Sequence, residues 1–352
     1  MNPCLEINGR RIGAGHSCYI VAEISANHNQ KIDQALKLVD AAKEAGADAV
    51  KIQTYTPDTL TLNSDQPVFR IGEDSLWGGR TLYDLYSQAY MPWEWTGKLK
   101  AAAEDAGLDF FSTAFDPTSV DFLETIGVPV YKIASFEIVD LPLIEKVAAT
   151  RKPLIMSTGM ATLGEIEDAV QTARSAGAPG VALLKCTSAY PSLPEEINLR
   201  TIPHLSAAFH VAVGVSDHTL GGVVPAAAVA LGACIVEKHF TMARTDGGPD
   251  SSFSLEPHEF REMVVSVRIA EKALGDVHYG VTEEESKNRV FRRSLFAVRD
   301  IRKGDAFTAE NVRSVRPSAG ISPKHLREVL GRRAACDISF GTPLQFEHLA
   351  EP

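Results

Sequence analysis

Two short stretches carry residue types that could do chemistry. GVSDHT (214–219) and VEKHFT (236–241) each close an apolar run, and each then presents a histidine near an acidic residue. The residues are Asp217 and His218 in the first and Glu237 and His239 in the second. One histidine at a strand end is usually structural, so the pair has to be judged with the rest of the chain. Two imidazoles with carboxylates nearby suit a divalent transition metal, and the mixed nitrogen and oxygen set favours Mn2+, Fe2+, Co2+ or Zn2+ over Ca2+. Two protein ligands leave positions open to water and substrate, where an ion could polarise an aldehyde oxygen as a Lewis acid.

The ends of the other apolar runs are as polar as these two. They offer Glu23, Ser25, Asn27 and His28; Lys51 and Gln53; Ser112, Thr113, Phe115 and Asp116; Lys132, Ser135 and Glu137; Ser157 and Thr158; Lys185, Thr187, Ser188 and Tyr190; and Ser216. Lysine is a compact cation suited to phosphate, and hydroxyls add neutral donors. Together they predict a pocket for a small, strongly anionic ligand bearing phosphate or carboxylate. After His239, the turn Gly247-Gly248-Pro249 presents Asp250, placed to bind substrate hydroxyls.

Something must hold these residues on one face. Eight β-rich apolar runs recur, at 19–25, 48–53, 109–113, 130–135, 153–158, 181–187, 210–216 and 233–239. Helical patterns such as IDQALKLVDAAKEAGA and TLGEIEDAVQTARSAGA separate them, and several end in Ala-Gly, a good helix stop. Near-continuous apolar strands suit a parallel sheet covered on both faces. Eight βα units over about 250 residues predict an α/β (β/α)8 TIM barrel, with active residues at the C-terminal strand ends. An open doubly wound sheet is the alternative, and the even spacing argues against it. After the second run, a long segment ending in SQAYMPWEW carries all three tryptophans and reads as a wall or lid, with RTLYDLYSQA a helix within it. The barrel is expected over 1–280, a polar linker over 281–293, and a small β-rich domain with Gly turns over 294–352.

Composition bounds the alternatives. The 352 residues carry a net charge of −10. From Glu285 onward there are 13 Lys+Arg against 8 Asp+Glu, a balance of +5, which leaves −15 for the rest. An acidic main body without a basic run argues against nucleic-acid binding. A basic small domain facing an acidic large one is the economical reading. Five scattered cysteines without a CxxC pair argue for a reducing cytoplasm, and no apolar stretch is long enough for a leader or a membrane span.

Several stretches together resemble the sialic acid synthase family, the phosphoenolpyruvate-dependent nonulosonate synthases. They are VAEISANHN, VKIQTY, FFSTAFD, YKIASFEI, LIMSTGM, LLKCTSAYPS, GVSDHT, EKHFT and GGPDSSFSL. The tail SLFAVRDIRKGDAFTAENVRSVRPSAGI resembles the antifreeze-like (SAF) domain that follows this barrel. The insertion WGGRTLYDLYSQAYMPWEW is similar to the branch that makes pseudaminic acid, rather than N-acetylneuraminate or legionaminate.

The resemblance implies condensation of an open-chain N-acetylated amino sugar with phosphoenolpyruvate and water, giving a nine-carbon 2-keto acid and phosphate with C–O cleavage. It implies that Lys51, Thr113, Lys132, Ser135, Ser157, Ser188 and Ser216 hold phosphoenolpyruvate. His218 and His239 then hold Mn2+, with Mg2+ or Co2+ as substitutes. Glu23, Glu137 and His239 serve catalysis, the two carboxylates by proton handling or by orienting water and sugar. Gln53, Tyr190 and Asp250 touch the sugar, as does Arg316, reaching from the small domain of the other subunit in a domain-swapped homodimer. Ser188 departs from the Asn of the neuraminate enzymes, and the linker aromatic is Phe291 or Phe296. Two rivals remain: a Schiff-base aldolase using Lys51, Lys132 or Lys185, and a carbohydrate- or ice-binding protein suggested by the tail.

Overall fold

The computed structural model describes residues 4–351. It consists of two compact units, divided between Gly275 and Asp276. The chain starts with a hairpin, β1 (Cys4–Ile7) against β2 (Arg10–Gly13), which the apolar runs do not announce. Asn8 and Gly9 form its turn with φ of 48° and 76°, the left-handed pair that an Asn-Gly hairpin turn requires. Its apolar face, Leu5, Ile7 and Ile12, is buried. Leu5 lies so close to Gly180, at the start of a barrel strand, that a Cβ there would sit 2.9 Å from Leu5 Cδ1. The hairpin therefore stoppers the N-terminal end of the barrel and leaves the opposite mouth free.

Eight parallel strands close the barrel: β3 (Tyr19–Glu23), β4 (Ala49–Thr54), β5 (Asp109–Ala114), β6 (Tyr131–Ile133), β7 (Leu154–Ser157), β8 (Val181–Cys186), β9 (Ala212–Asp217) and β10 (Ile235–His239), with β10 paired to β3. All eight expected runs are strands. Helices cover the outside and bury apolar stripes, as in Leu38, Val39 and Ala42 of Ile32–Glu44. Each Leu or Val side chain so removed from water contributes about 1.5–3 kcal/mol, before the entropy of ordering is counted. Local signals set the helix ends. Asp116 accepts from the amides of Thr118 at 2.7 Å and Ser119 at 3.3 Å, Pro117 starts the helix Pro117–Ile126, and left-handed Gly127 stops it.

The register decides which side chains face inward. His239 pairs with Glu23, Glu23 with Lys51, Gln53 with Thr113, Thr113 with Lys132, Cys186 with Ser216, and Ser216 with Glu237. Paired residues share a face and alternate residues face apart, so these all point into the barrel near its C-terminal end.

The second unit is small and β-rich. β11 (Ser294–Ala297) pairs antiparallel with β12 (Val312–Val315), and isolated bridges tie Ile301 to Ile338 and Ala306 to Arg333. Its own core holds Leu295, Phe307, Val312, Ile321, Val329 and Leu344.

Candidate active site

The buried mouth of the barrel holds a charge cluster. Lys51 forms an ion pair with Glu23, and its Nζ donates to Thr113 Oγ1 at 2.9 Å. Glu237 lies 3.5 Å from Lys51 and 4.0 Å from Lys132. Lys132 Nζ donates to Ser157 Oγ at 2.7 Å, and Ser216 Oγ reaches Glu237 at 3.4 Å. The hydroxyls of Ser135 and Ser188 are 2.8 Å apart. Gly159 makes room for that pair: a Cβ there would lie 2.4 Å from Ser135 Cβ and 2.8 Å from Ser188 Oγ. Gly159 also has φ of +45°, where side chains are strained.

Burial pushes the Lys51 ammonium down to about 8, with Lys132 adding to the effect. Burial works against the Glu237 carboxylate, yet Lys132 and Lys51 outweigh it and hold the group ionised. Two buried ammonium groups ringed by hydroxyls make a receptor for a small multivalent anion, with Glu237 as the standing counter-ion. A ring of hydroxyls and cations this deep would be costly without such a ligand.

The two histidines lie beside this cluster. Their ring centroids are 5.3 Å apart. His218 Nδ1 sits 2.9 Å from the carbonyl of Thr187. A carbonyl only accepts, so Nδ1 carries the proton and Nε2 keeps its lone pair. His239 Nδ1 is buried without a hydrogen-bond partner, with Asp250 Oδ2 at 3.9 Å. Burial, followed by the neighbouring His218 ring and Lys51, keeps the His239 imidazole neutral. Two imidazole nitrogens, one of them a buried orphan, fit a divalent ion that completes its shell with water and substrate oxygens. Among the described residues no group of three or more His, Cys, Asp and Glu gathers into a closed site, so a two-histidine site with open positions is what this chain can offer.

Around the histidines runs an aromatic wall. Tyr190 lies 4.4 Å from His218 and 5.1 Å from Phe253, and Phe253 lies 5.0 Å from His239, measured between ring centroids. Asp250 is hydrogen-bonded by Ser25 Oγ, to which Gln53 Nε2 also donates at 3.2 Å. Glu137, on the short turn of helix after β6, has Oε2 buried and unpartnered, and burial raises its carboxyl to about 7.

Most candidates of the first unit thus come to one mouth, among them Lys51, Lys132, Ser135, Ser188, His218 and His239. Arg316 follows β12 in the second unit and is exposed. Some expectations need correction. Lys185 does not join the lysine cluster: Cys186 is the residue in register with Ser216, so Lys185 faces away, donating to Cys186 O at 2.7 Å. Asp217 likewise faces outward and pairs with the buried Lys238. Asp116 is a helix cap, and His28 packs edge-on against Trp95, its imidazole lowered to about 4 by burial. Of the tryptophans, Trp93 stacks on Phe122 and only Trp77 reaches Tyr190. Phe296 is buried in β11 and Phe291 is exposed. Phe253 is a site residue that the sequence reading does not offer; Glu237, expected as a carboxylate beside the histidines, instead lies between Lys51 and Lys132.

A closed βα barrel whose C-terminal mouth joins an anion receptor to a pair of imidazoles is an enzyme architecture. The chain belongs to the NeuB family, whose model matches residues 38–279, and a SAF domain model matches residues 292–350. The chain is 47% identical to the pseudaminic acid synthase of Campylobacter jejuni over 93% of this chain and 95% of that protein. It is 38% identical to the N,N'-diacetyllegionaminic acid synthase of Legionella pneumophila over 98% of each. Among solved structures, the spore coat polysaccharide biosynthesis protein SpsE of Bacillus subtilis matches with a TM-score of 0.67, 34% identity and 99% of both chains covered.

Proposed function

We propose that this protein condenses phosphoenolpyruvate with 2,4-diacetamido-2,4,6-trideoxy-L-altrose and water, giving the nine-carbon 2-keto acid pseudaminic acid and phosphate. The observation that carries the reading is the buried Lys51–Glu237–Lys132 cluster, with its hydroxyls, beside a pair of imidazoles. The choice of sugar rests on 47% identity to a pseudaminic acid synthase against 38% to a diacetyllegionaminic acid synthase.

In this reading Lys51, Lys132, Thr113, Ser135, Ser157, Ser188 and Ser216 bind the phosphate and carboxylate of phosphoenolpyruvate. The C2=C3 electron pair attacks the aldehyde carbon, water adds at C2, and phosphate leaves with the bridging oxygen as C2 becomes a ketone. His218 and His239 are the residues to hold a divalent ion, Mn2+ with Mg2+ or Co2+ as substitutes. When bound, that ion supplies Lewis-acid polarisation of the aldehyde oxygen. Glu23, ion-paired with Lys51, orients the attacking water. Glu137 stays protonated below about pH 7 and delivers a proton to the oxygen that becomes a hydroxyl. Gln53, Tyr190 and Asp250 bind the sugar. Lys51 is a poor Schiff-base nucleophile here, because Glu23 and Thr113 occupy its ammonium.

The protein works as a domain-swapped homodimer in this account. Phe136, Val139, Met160, Leu163, Leu193 and Leu220 are exposed on the loops that follow β6 to β9. That apolar crescent, on a first unit of net negative charge, suits the basic C-terminal unit of a second copy, carrying Arg316 to the sugar. No helix among the described residues is long and apolar enough to cross a membrane, and the scattered cysteines suit the cytoplasm. Phosphate release from phosphoenolpyruvate with Mn2+, compared across the altrose derivative, the legionaminate precursor and N-acetylmannosamine, tests the reading. Turnover only with the legionaminate precursor would move the chain to that synthase with the same mechanism.

A further inference from the structure

Trp77 stands at the tip of a tight loop. Arg70 bridges Thr81 and the amide of Ile71 donates to Arg80 O at 2.9 Å, closing the loop at its base. A Cβ on Gly78 would lie 2.7 Å from the carbonyl of Glu73, so the chain is folded back closely on itself beside the indole. The indole N–H donates to the carbonyl of Pro249 at 2.9 Å. Its ring lies 5.8 Å from that of Tyr190. On its other side the 247–250 loop is held by Asn29, whose side-chain amide donates to the carbonyls of Asp246 and Gly247 at 3.2 and 3.3 Å. Two unrelated segments thus meet at Pro249, and the next residue is Asp250, 3.9 Å from His239.

The order of groups fixes a direction. In the reading above the histidines mark the aldehyde end of the sugar; Tyr190 lies 4.4 Å from His218, and Trp77 lies 5.8 Å from Tyr190. A sugar with C1 at the histidines that runs outward along Tyr190 brings its far carbon to the indole. We propose that Trp77 is a specificity-determining residue, whose apolar face receives the C6 methyl of a 6-deoxy sugar and disfavours a C6 hydroxyl. The inference rests on the functional reading above and adds the residue that selects at C6. An apolar wall separates a methyl from a hydroxymethyl by roughly 10- to 100-fold, the range open to hydrophobic pockets.

Two substitutions separate the wall from the clamp. Trp77→Gln keeps an N–H that can reach Pro249 O but replaces the apolar face with an amide. Trp77→Phe keeps the face and loses the donor. The readout is kcat/KM for 2,4-diacetamido-2,4,6-trideoxyaltrose divided by kcat/KM for its 6-hydroxyl counterpart, with phosphoenolpyruvate saturating and folding checked by thermal melting. The unsubstituted enzyme should prefer the 6-deoxy sugar by ~10-fold or more. Trp77→Gln should bring the ratio to about one and leave the phosphoenolpyruvate KM within about twofold, while Trp77→Phe should retain most of the preference. A ratio unchanged by Trp77→Gln, or a native enzyme that turns over both sugars equally, overturns this inference and leaves the synthase reading intact. A native enzyme that releases no phosphate with either sugar overturns the synthase reading and this inference with it.

Discussion

Glu237 and Lys51 face each other at 3.5 Å across the barrel mouth although their strands are not neighbours, since β3 lies between β10 and β4. The closed barrel brings them together, and their pairing has a consequence for pH. Lys51 is already down near 8 through burial, and Glu237 is the largest influence holding it up. Above that pH the ammonium loses its proton, so the phosphoenolpyruvate KM should rise as pH passes about 8. Glu237→Gln removes the support, lowers the Lys51 value further, and should shift that rise to lower pH. KM measured from pH 6 to 9 checks this; two flat, superimposable profiles would contradict it.

Glu137 supplies a second pH dependence of opposite origin. Burial holds its carboxyl protonated up to about 7. As a proton donor it loses function when it ionises, so kcat should fall as pH rises through about 7. Glu137→Gln cannot titrate or donate a proton. It should lower kcat by ~100-fold, the usual scale for a general acid, and abolish that alkaline limb. A variant that keeps the limb would assign it to another group.

The histidine pair predicts a sharp metal requirement. His218→Ala and His239→Ala should each cut metal-dependent turnover by at least ~100-fold, since Lewis-acid stabilisation is worth several kcal/mol and each 1.4 kcal/mol is tenfold. Circular dichroism and melting should show the fold retained. Full activity in either variant would remove the assignment.

Gly159 offers a steric test of the anion end. Gly159→Ala drives a Cβ to 2.4 Å from Ser135 Cβ and must displace the Ser135–Ser188 pair. The phosphoenolpyruvate KM should rise by ~10-fold, a loss of about 1.4 kcal/mol, with the sugar KM much less affected. An equal rise in both would mean a general distortion instead.

Arg316 probes the shared site. Arg316→Ala should raise the sugar KM more than the phosphoenolpyruvate KM, because in the proposed dimer its contact is to the sugar. Sedimentation should give a dimer for the native protein and the variant. An unchanged sugar KM would refute the role.

Much of this site was legible because strand alternation is strict. Lys51 and Gln53, or Ser216 and His218, are two apart, and whichever face one takes the other shares. The same rule misleads when the phase of a strand is unknown. In VALLKCT nothing in the apolar run distinguishes Lys185 from Cys186 as the inward residue, and only pairing with β9 settles it. Asp217 and Lys238 are similar: each neighbours a histidine in sequence, yet both point outward and satisfy each other. Glu237 was readable from its spacing to His239, but its meaning depends on Lys51 and Lys132, far away in sequence. The EINGRR hairpin carries its turn signal in Asn8-Gly9, but its strands are short and polar on one side, so no apolar run marks them. The reach of Trp77 to Pro249 spans 172 residues, and no local pattern encodes it.

The measurement that tests the central claim most directly is phosphate release from phosphoenolpyruvate, with and without Mn2+, in the presence of 2,4-diacetamido-2,4,6-trideoxy-L-altrose. The account predicts stoichiometric phosphate and a nine-carbon 2-keto acid, dependent on both sugar and metal. Borohydride trapping of pyruvate on Lys51 or Lys132, with no phosphate released from phosphoenolpyruvate, would contradict it and make the barrel an aldolase.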